Sequence, residues 1–155
     1  MIQKNGNVLS YFIPNRYAST LQTQLRQKIE PGATIVTDSW RGYNGLSGTF
    51  GHTQVKDKEK YGESFVINGL NTNHIENYWT TWKKTYHGSH HWFSKKHVNR
   101  YCHLIDFRHN TREKSISEKF IMALSENSGK NISYSELTKD PYKSMKFDLP
   151  ANFNN

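Results

Sequence analysis

Two periods of apolar residues run along the chain. Val8 to Ile13 (Val-Leu-Ser-Tyr-Phe-Ile) is a short apolar run between Asn5-Gly6-Asn7 and Pro14-Asn15, and predicts a strand. From Ala18 to Ile29 the period changes to helical, with Leu21, Leu25 and Ile29 every four residues, and Pro31-Gly32 stops it. Thr34-Ile35-Val36-Thr37 is β-branched throughout and predicts a short buried strand that ends on Asp38. Trp40 to Gly51 carries four glycines and predicts turns with one helical turn among them; His52 to Val55 predicts a weaker strand, and Lys56 to Glu63 a charged loop. Helical spacing returns at Asn73 to Tyr86 through Ile75, Tyr78, Trp79, Trp82 and Tyr86, with Asn71 or Thr72 available as a cap. It recurs from about Ser94 to His109, where Val98, Tyr101, Cys102 and Ile105 share a face, and from Ser117 to Leu124, which Ser128-Gly129 closes. Strand, helix, strand, strand, helix, helix is the order of a mixed α/β domain. It occupies residues 1–138; residues 139–155 form a polar, Asn-rich tail, frayed at Ala151 to Asn155.

Composition adds the nature of the partner. The 155 residues hold 21 Lys+Arg against 13 Asp+Glu, a net charge of +8, which favours polyanions. The charge is concentrated: Lys83, Lys84, Lys95, Lys96, Arg100, Arg108 and Arg112 fall in one stretch, interleaved with Trp79, Trp82, Tyr86, Trp92 and Tyr101. Such a stretch suits a nucleic-acid surface, although aromatics at helical spacing are more often core. Core packing is the expected role of Trp82; that of Trp79 is open. One cysteine, Cys102, excludes an internal disulfide framework. No apolar run approaches the roughly 18–20 residues that span a membrane, and the amino end lacks a signal peptide's apolar core, so a cytoplasmic or nuclear protein is expected.

Two acids stand where chemistry would need them. Asp38 follows a buried strand, where open α/β sheets place functional groups, although a turn cap would sit there too. Glu76 lies on the first long helix with Lys83 about two turns on, and Asn73, Glu76, Thr80 and Lys83 make a polar stripe opposite Ile75, Tyr78 and Trp82. On spacing alone that stripe reads as an ordinary solvated face. His87, His90, His91, His97, His103 and His109 lack paired ligand spacing and do not suggest zinc.

The wording around these acids is more specific than their spacing. Thr37-Asp38-Ser39-Trp40-Arg41-Gly42-Tyr43-Asn44-Gly45-Leu46 resembles the block holding the second acid of Merlin-type and ISXO-two-like transposases. Asn71-Thr72-Asn73-His74-Ile75-Glu76-Asn77-Tyr78-Trp79, followed by Lys83-Lys84, resembles their third-acid block. His91, His97, Tyr101, Phe107-Arg108-His109-Asn110 and Arg112 are similar to the closing block, and Gly129 to Tyr134 with Leu137 to the usual ending.

The resemblance implies the carboxyl-terminal part of a ribonuclease-H-like catalytic domain, a mixed sheet flanked by helices. It also implies two-metal Mg²⁺ (or Mn²⁺) chemistry on DNA, with transposon ends and target as partners and a homo-oligomer in a synaptic complex. Asp38 and Glu76 would be the catalytic metal ligands, with Asn73 the alternative third ligand; Glu76 is preferred because Mg²⁺ favours a charged oxygen. Lys83 would lie along the scissile strand, and Lys84, His91, Lys95, Lys96, Arg100, Arg108 and Arg112 would contact DNA. The family's first acid lies on an earlier strand, whereas here Glu30 is the only acid before Asp38 and closes a helix. The reading is therefore a domain truncated at its amino end, with the first strands missing and no strand transfer on its own. The alternative is a non-catalytic basic module that binds DNA or RNA.

Overall fold

The computed structural model describes residues 1–3, 6–55 and 72–144, and these form two compact units. The predicted charged loop from Lys56 to Glu63, Asn71 and the end of the tail from residue 145 lie outside them.

The unit built around residues 13–77 holds helix α1, Ala18–Lys28, and two strands, β1, Thr34–Thr37, and β2, Gly51–Gln54. The strands pair in parallel, Thr34 opposite Gly51 through Thr37 opposite Gln54. Parallel neighbours need a crossover of about a dozen residues. Residues 38–50 supply it, with a 3₁₀ turn at Arg41–Tyr43. Ile35 of β1 packs with Leu46 and Phe50 of the crossover, and Leu25, Ile29 and Tyr43 close over them. Polar ties join α1 to the crossover: Gln22 Nε2 donates to the carbonyls of Gly42, 3.1 Å, and Asn44, 2.5 Å, and Arg26 to that of Gly45, 3.3 Å. Gly42 is required by this approach, since a Cβ there would lie 2.7 Å from Trp40 Nε1 and 2.9 Å from Leu21 Cδ1.

The other unit combines residues 1–12 with 78–145. Helix α2, Asn73–Thr85, runs into it and continues as a π-helical turn, Tyr86–His90, that ends on His91 at φ 55°. A 3₁₀ turn, Lys95–His97, leads into α3, Val98–Asn110; α4 spans Ile116–Asn127 and α5 Tyr134–Thr138. Ser115 and Ser133 each form a capping box, with Glu118 and Glu136 three residues on. The aromatics between α2 and α3 make one cluster: Phe93 stacks on Tyr101 at 4.2 Å and meets Trp82 edge-on at 5.1 Å. Tyr142, in the predicted tail, is anchored: Asn99 Nδ2 donates to its hydroxyl and its ring lies 5.2 Å from Phe12.

The segment expected to be a strand, Val8 to Ile13, is extended but enters no ladder; its single bridge joins Val8 to Ile2. Side chains of α3 take the place of a neighbouring strand. Val8 N–H donates to Asn110 Oδ1 at 2.7 Å, and Asn110 Nδ2 returns a bond to Val8 O at 3.0 Å. Ser10 N–H donates to Asp106 and Phe12 N–H to Asn99, both at 2.7 Å. Alternate amides on one edge of the segment are thus satisfied by one helix. A backbone donor needs a partner and not specifically a strand.

Candidate active site and nucleic-acid interface

β1 delivers Asp38 to solvent. Thr37 is buried, its hydroxyl donates to the Asp38 carbonyl at 2.9 Å, and His52 Nε2 lies 2.9 Å from the same oxygen. Because the hydroxyl proton is spent on the carbonyl, His52 is the donor, through Nε2–H. Burial holds the His52 pKa below its ordinary value, keeping the ring neutral near pH 7. The Asp38 carboxylate is exposed and Oδ1 accepts the Trp40 N–H at 3.0 Å, the turn-closing role that a strand-end aspartate commonly plays. Among the described residues no bond engages Oδ2. Arg16 covers the Trp40 ring at 5.0 Å.

Glu76 sits in the first turn of α2, where the helix dipole favours a carboxylate. The Thr72 hydroxyl, expected as a cap, donates instead to Glu76 Oε1 at 2.8 Å, while the Thr72 carbonyl accepts from the amides of Ile75 and Glu76. Asn73, Glu76, Thr80 and Lys83 are all exposed, as the polar stripe requires; on the other side Tyr78 is fully buried and Trp82 half-buried. Trp79 is 47% exposed. Carboxylate and amide oxygens of this kind are the hard donors that Mg²⁺ or Mn²⁺ prefers. No group of three His, Cys, Asp or Glu able to hold a metal occurs among the described residues.

The cationic stretch is nearly free of acids. Between Tyr78 and Arg112 stand Lys83, Lys84, Lys95, Lys96, Arg100, Arg108 and Arg112, and the lone acid is Asp106, which is 5% exposed. Lys83, Lys84, His91, Lys95, Arg100, Arg108 and Arg112 are exposed and Lys96 half-buried. The one ion pair between described residues is Arg112 with Glu113, 3.4 Å. Crowding of positive charge is felt locally: burial, then Arg100 and Lys96, lower the His97 pKa, and burial with Arg112 lowers that of His109.

Asp106 is the residue that sequence reasoning missed. Its carboxylate accepts from Ser10 N–H at 2.7 Å, Ser10 Oγ at 2.8 Å and the Tyr78 hydroxyl at 2.5 Å, all buried. It thereby ties α3, the helix bearing Glu76 and the extended segment together. The available signal was an acid four residues after Cys102 and one after Ile105, at the border of the apolar face and in line with Asn99 and Asn110.

The class that the fold defines is a mixed α/β protein with a small parallel sheet and helices. Comparison with known proteins narrows it: the family described as ISXO2-like transposase domain matches residues 1–110, and the chain belongs to that family. A protein of Haemophilus influenzae described as an uncharacterized transposase-like protein is 27% identical over 111 residues, 68% of this chain and 83% of its own length. No solved structure matches. No helix among the described residues is long and apolar enough to cross a membrane.

Proposed function

We propose that residues 1–138 form the part of a ribonuclease-H-like transposase catalytic domain that carries its second and third acids, with residues 139–155 following as a polar tail. Asp38 and Glu76 are the ligands for divalent metal, Mg²⁺ or Mn²⁺, with Asn73 the alternative to Glu76. Two such ions, when bound, stabilise the attacking and leaving oxygens of a phosphoryl transfer. Lys83, seven residues after Glu76 on the same exposed stripe, contacts the DNA strand being cut. Lys84, His91, Lys95, Lys96, Arg100, Arg108 and Arg112 hold the duplex through its phosphates. The observation that carries this reading is the family membership over residues 1–110, which includes both acids, taken with the exposure of both carboxylates. These 155 residues contain no aspartate ahead of Asp38, so strand transfer by them alone is not expected.

Paramagnetic broadening by Mn²⁺ tests the acids without requiring turnover. Broadening should centre on the amides around both Asp38 and Glu76 and disappear in Asp38→Asn/Glu76→Gln. Broadening at one acid only, or at neither, would refute a shared metal site.

A second reading, a basic module that binds nucleic acid without chemistry, draws on the cationic stretch with its single, buried acid. It predicts the same salt-sensitive duplex binding, weakened by Lys83→Ala or Arg100→Ala. It is distinguished by a lack of Mn²⁺ broadening at the acids.

A further inference from the structure

The polar segment from residue 139 folds back on α3 and closes a cleft. Asn99, in the first turn of α3, accepts the Phe12 N–H through Oδ1 at 2.7 Å and donates through Nδ2 to the Tyr142 hydroxyl at 2.5 Å. The turn after α5 is fixed as well: Lys139 N–H donates to the Ser135 carbonyl at 3.0 Å and Tyr142 N–H to Asp140 Oδ1 at 2.9 Å. The cleft, about 280 Å³, is lined by Lys96, Asn99 and Arg100 on one side and by Glu136, Lys139 and Tyr142 on the other. Its charged lining is thus three cations against one carboxylate, and Glu136 already accepts from the Ser133 amide and hydroxyl at 2.9 and 2.7 Å. Among the described residues none of the three cations is ion-paired. Glu136, Lys139 and Tyr142 lie outside residues 1–110, so the family match does not account for this cleft.

We propose that this cleft binds a phosphate monoester, the 5′-terminal phosphate of a DNA strand, through Lys96, Arg100 and Lys139. Charge selects the ester. A monoester carries about −1.5 to −2 near neutral pH and three strong acceptor oxygens, one for each cation. The net charge of +2 in the lining matches it. An internal phosphodiester carries a single charge and would leave the lining cationic. Volume limits the rest of the ligand: the cleft falls just below the roughly 300–1,000 Å³ of small-molecule sites, and so admits a phosphate with its sugar and little more. Asn99 holds the two walls together, and the Tyr142 ring is backed by Phe12 at 5.2 Å, so the cations stand opposite one another before any ligand arrives. That the ester ends a DNA strand rests on the nucleic-acid reading above; that the cleft takes a monoester does not.

Methyl phosphate and dimethyl phosphate, titrated into the isotope-labelled 155-residue chain in metal-free buffer, separate the two esters by amide shifts. Methyl phosphate should shift the amides of Lys96, Arg100 and Lys139 and bind about tenfold more tightly than dimethyl phosphate. Lys139→Ala, at an exposed side chain, should weaken it about tenfold, the loss of one hydrogen bond to a charged group. Lys130→Ala, equally exposed but outside the cleft, should not. His97 reports the occupant: burial, then Arg100 and Lys96, lower its pKa, so a bound dianion should raise it. Equal affinity for the two esters, or equal losses in Lys139→Ala and Lys130→Ala, overturns the monoester site. A short single-stranded oligonucleotide with a 5′-phosphate should bind about tenfold more tightly than its 5′-hydroxyl form, and Lys139→Ala should erase the difference. A chain that binds methyl phosphate but shows no such preference overturns the DNA end and leaves a small phosphate ester as the occupant. Duplex binding measured on the same samples separates the two failures. Salt-sensitive duplex binding without a methyl phosphate site refutes the cleft alone, and the converse refutes the nucleic-acid reading.

Discussion

Replacing Asp106 by alanine removes the common acceptor of three donors at once: the amide and hydroxyl of Ser10, 2.7 and 2.8 Å away, and the hydroxyl of Tyr78 at 2.5 Å. Ser10, Tyr78 and Asp106 are 8%, 1% and 5% exposed, so water does not take over the vacated positions. Hydrogen bonds to a charged group contribute about 1.5–3 kcal/mol each, partly offset by the desolvation of the carboxylate, and breaking such a buried set from one side costs about 3–5 kcal/mol. Small domains hold only about 5–15 kcal/mol in all, so Asp106→Ala should consume about a fifth of the stability or more. Tyr78→Phe removes one donor and keeps the ring, whose edge-on contact with His109 at 5.3 Å survives; about 1–2 kcal/mol is expected. Urea titrations followed by far-ultraviolet circular dichroism give both values. If Asp106→Ala costs less than Tyr78→Phe, or under about 1 kcal/mol, the carboxylate is not the hub of this unit. The pair also has a pH signature. Burial first, then the bond to Asp106, raises the Tyr78 pKa above its ordinary 10.0, so the folded state holds that proton more tightly than the unfolded chain. Its contribution is complete below pH 10 and is lost as pH rises through the raised value; Tyr78→Phe should flatten that alkaline decline.

Three further outcomes follow from single contacts. Gly42→Ala puts a methyl group 2.7–2.9 Å from Trp40 and Leu21 and should cost about 1–2 kcal/mol in urea, toward the low end of overpacking because the exposed Trp40 ring can yield. The depressed pKa of His52 means its contribution is complete above pH 6.5 and is lost as pH falls through the folded value; the thermal midpoint should drop between pH 7 and 5, less steeply in His52→Gln. Ser115→Ala removes the hydroxyl half of the α4 capping box while the Ser115 N–H keeps its bond to Glu118, and a loss of about 1 kcal/mol, seen as faster amide exchange in the first turn of α4, is expected.

The elements that periodicity resolved best are those with a full apolar stripe. Leu21, Leu25 and Ile29 announce α1, and Tyr78 and Trp82 announce α2, because one face of a helix must meet the core wherever that core lies. The polar stripe Asn73, Glu76, Thr80, Lys83 was equally legible, being the complement of the same pattern. Val8 to Ile13 misled for a related reason. Apolar alternation signals an extended, half-buried segment, but whether its amides face a strand or the side chains of a helix is decided by residues about 90–100 positions away, Asn99, Asp106 and Asn110.

By itself the sequence determined an α/β chain, its cationic stretch, the two exposed acids and, through the ordered blocks around Asp38 and Glu76, its family. These are local properties or strings, complete before any distant contact forms. Only the tertiary structure decided that Asp106 is the buried tie between the Glu76-bearing helix and the amino-terminal segment, and that Lys139 and Tyr142 meet the start of α3. Both depend on which surfaces meet across long chain separations, and composition and spacing carry no record of that.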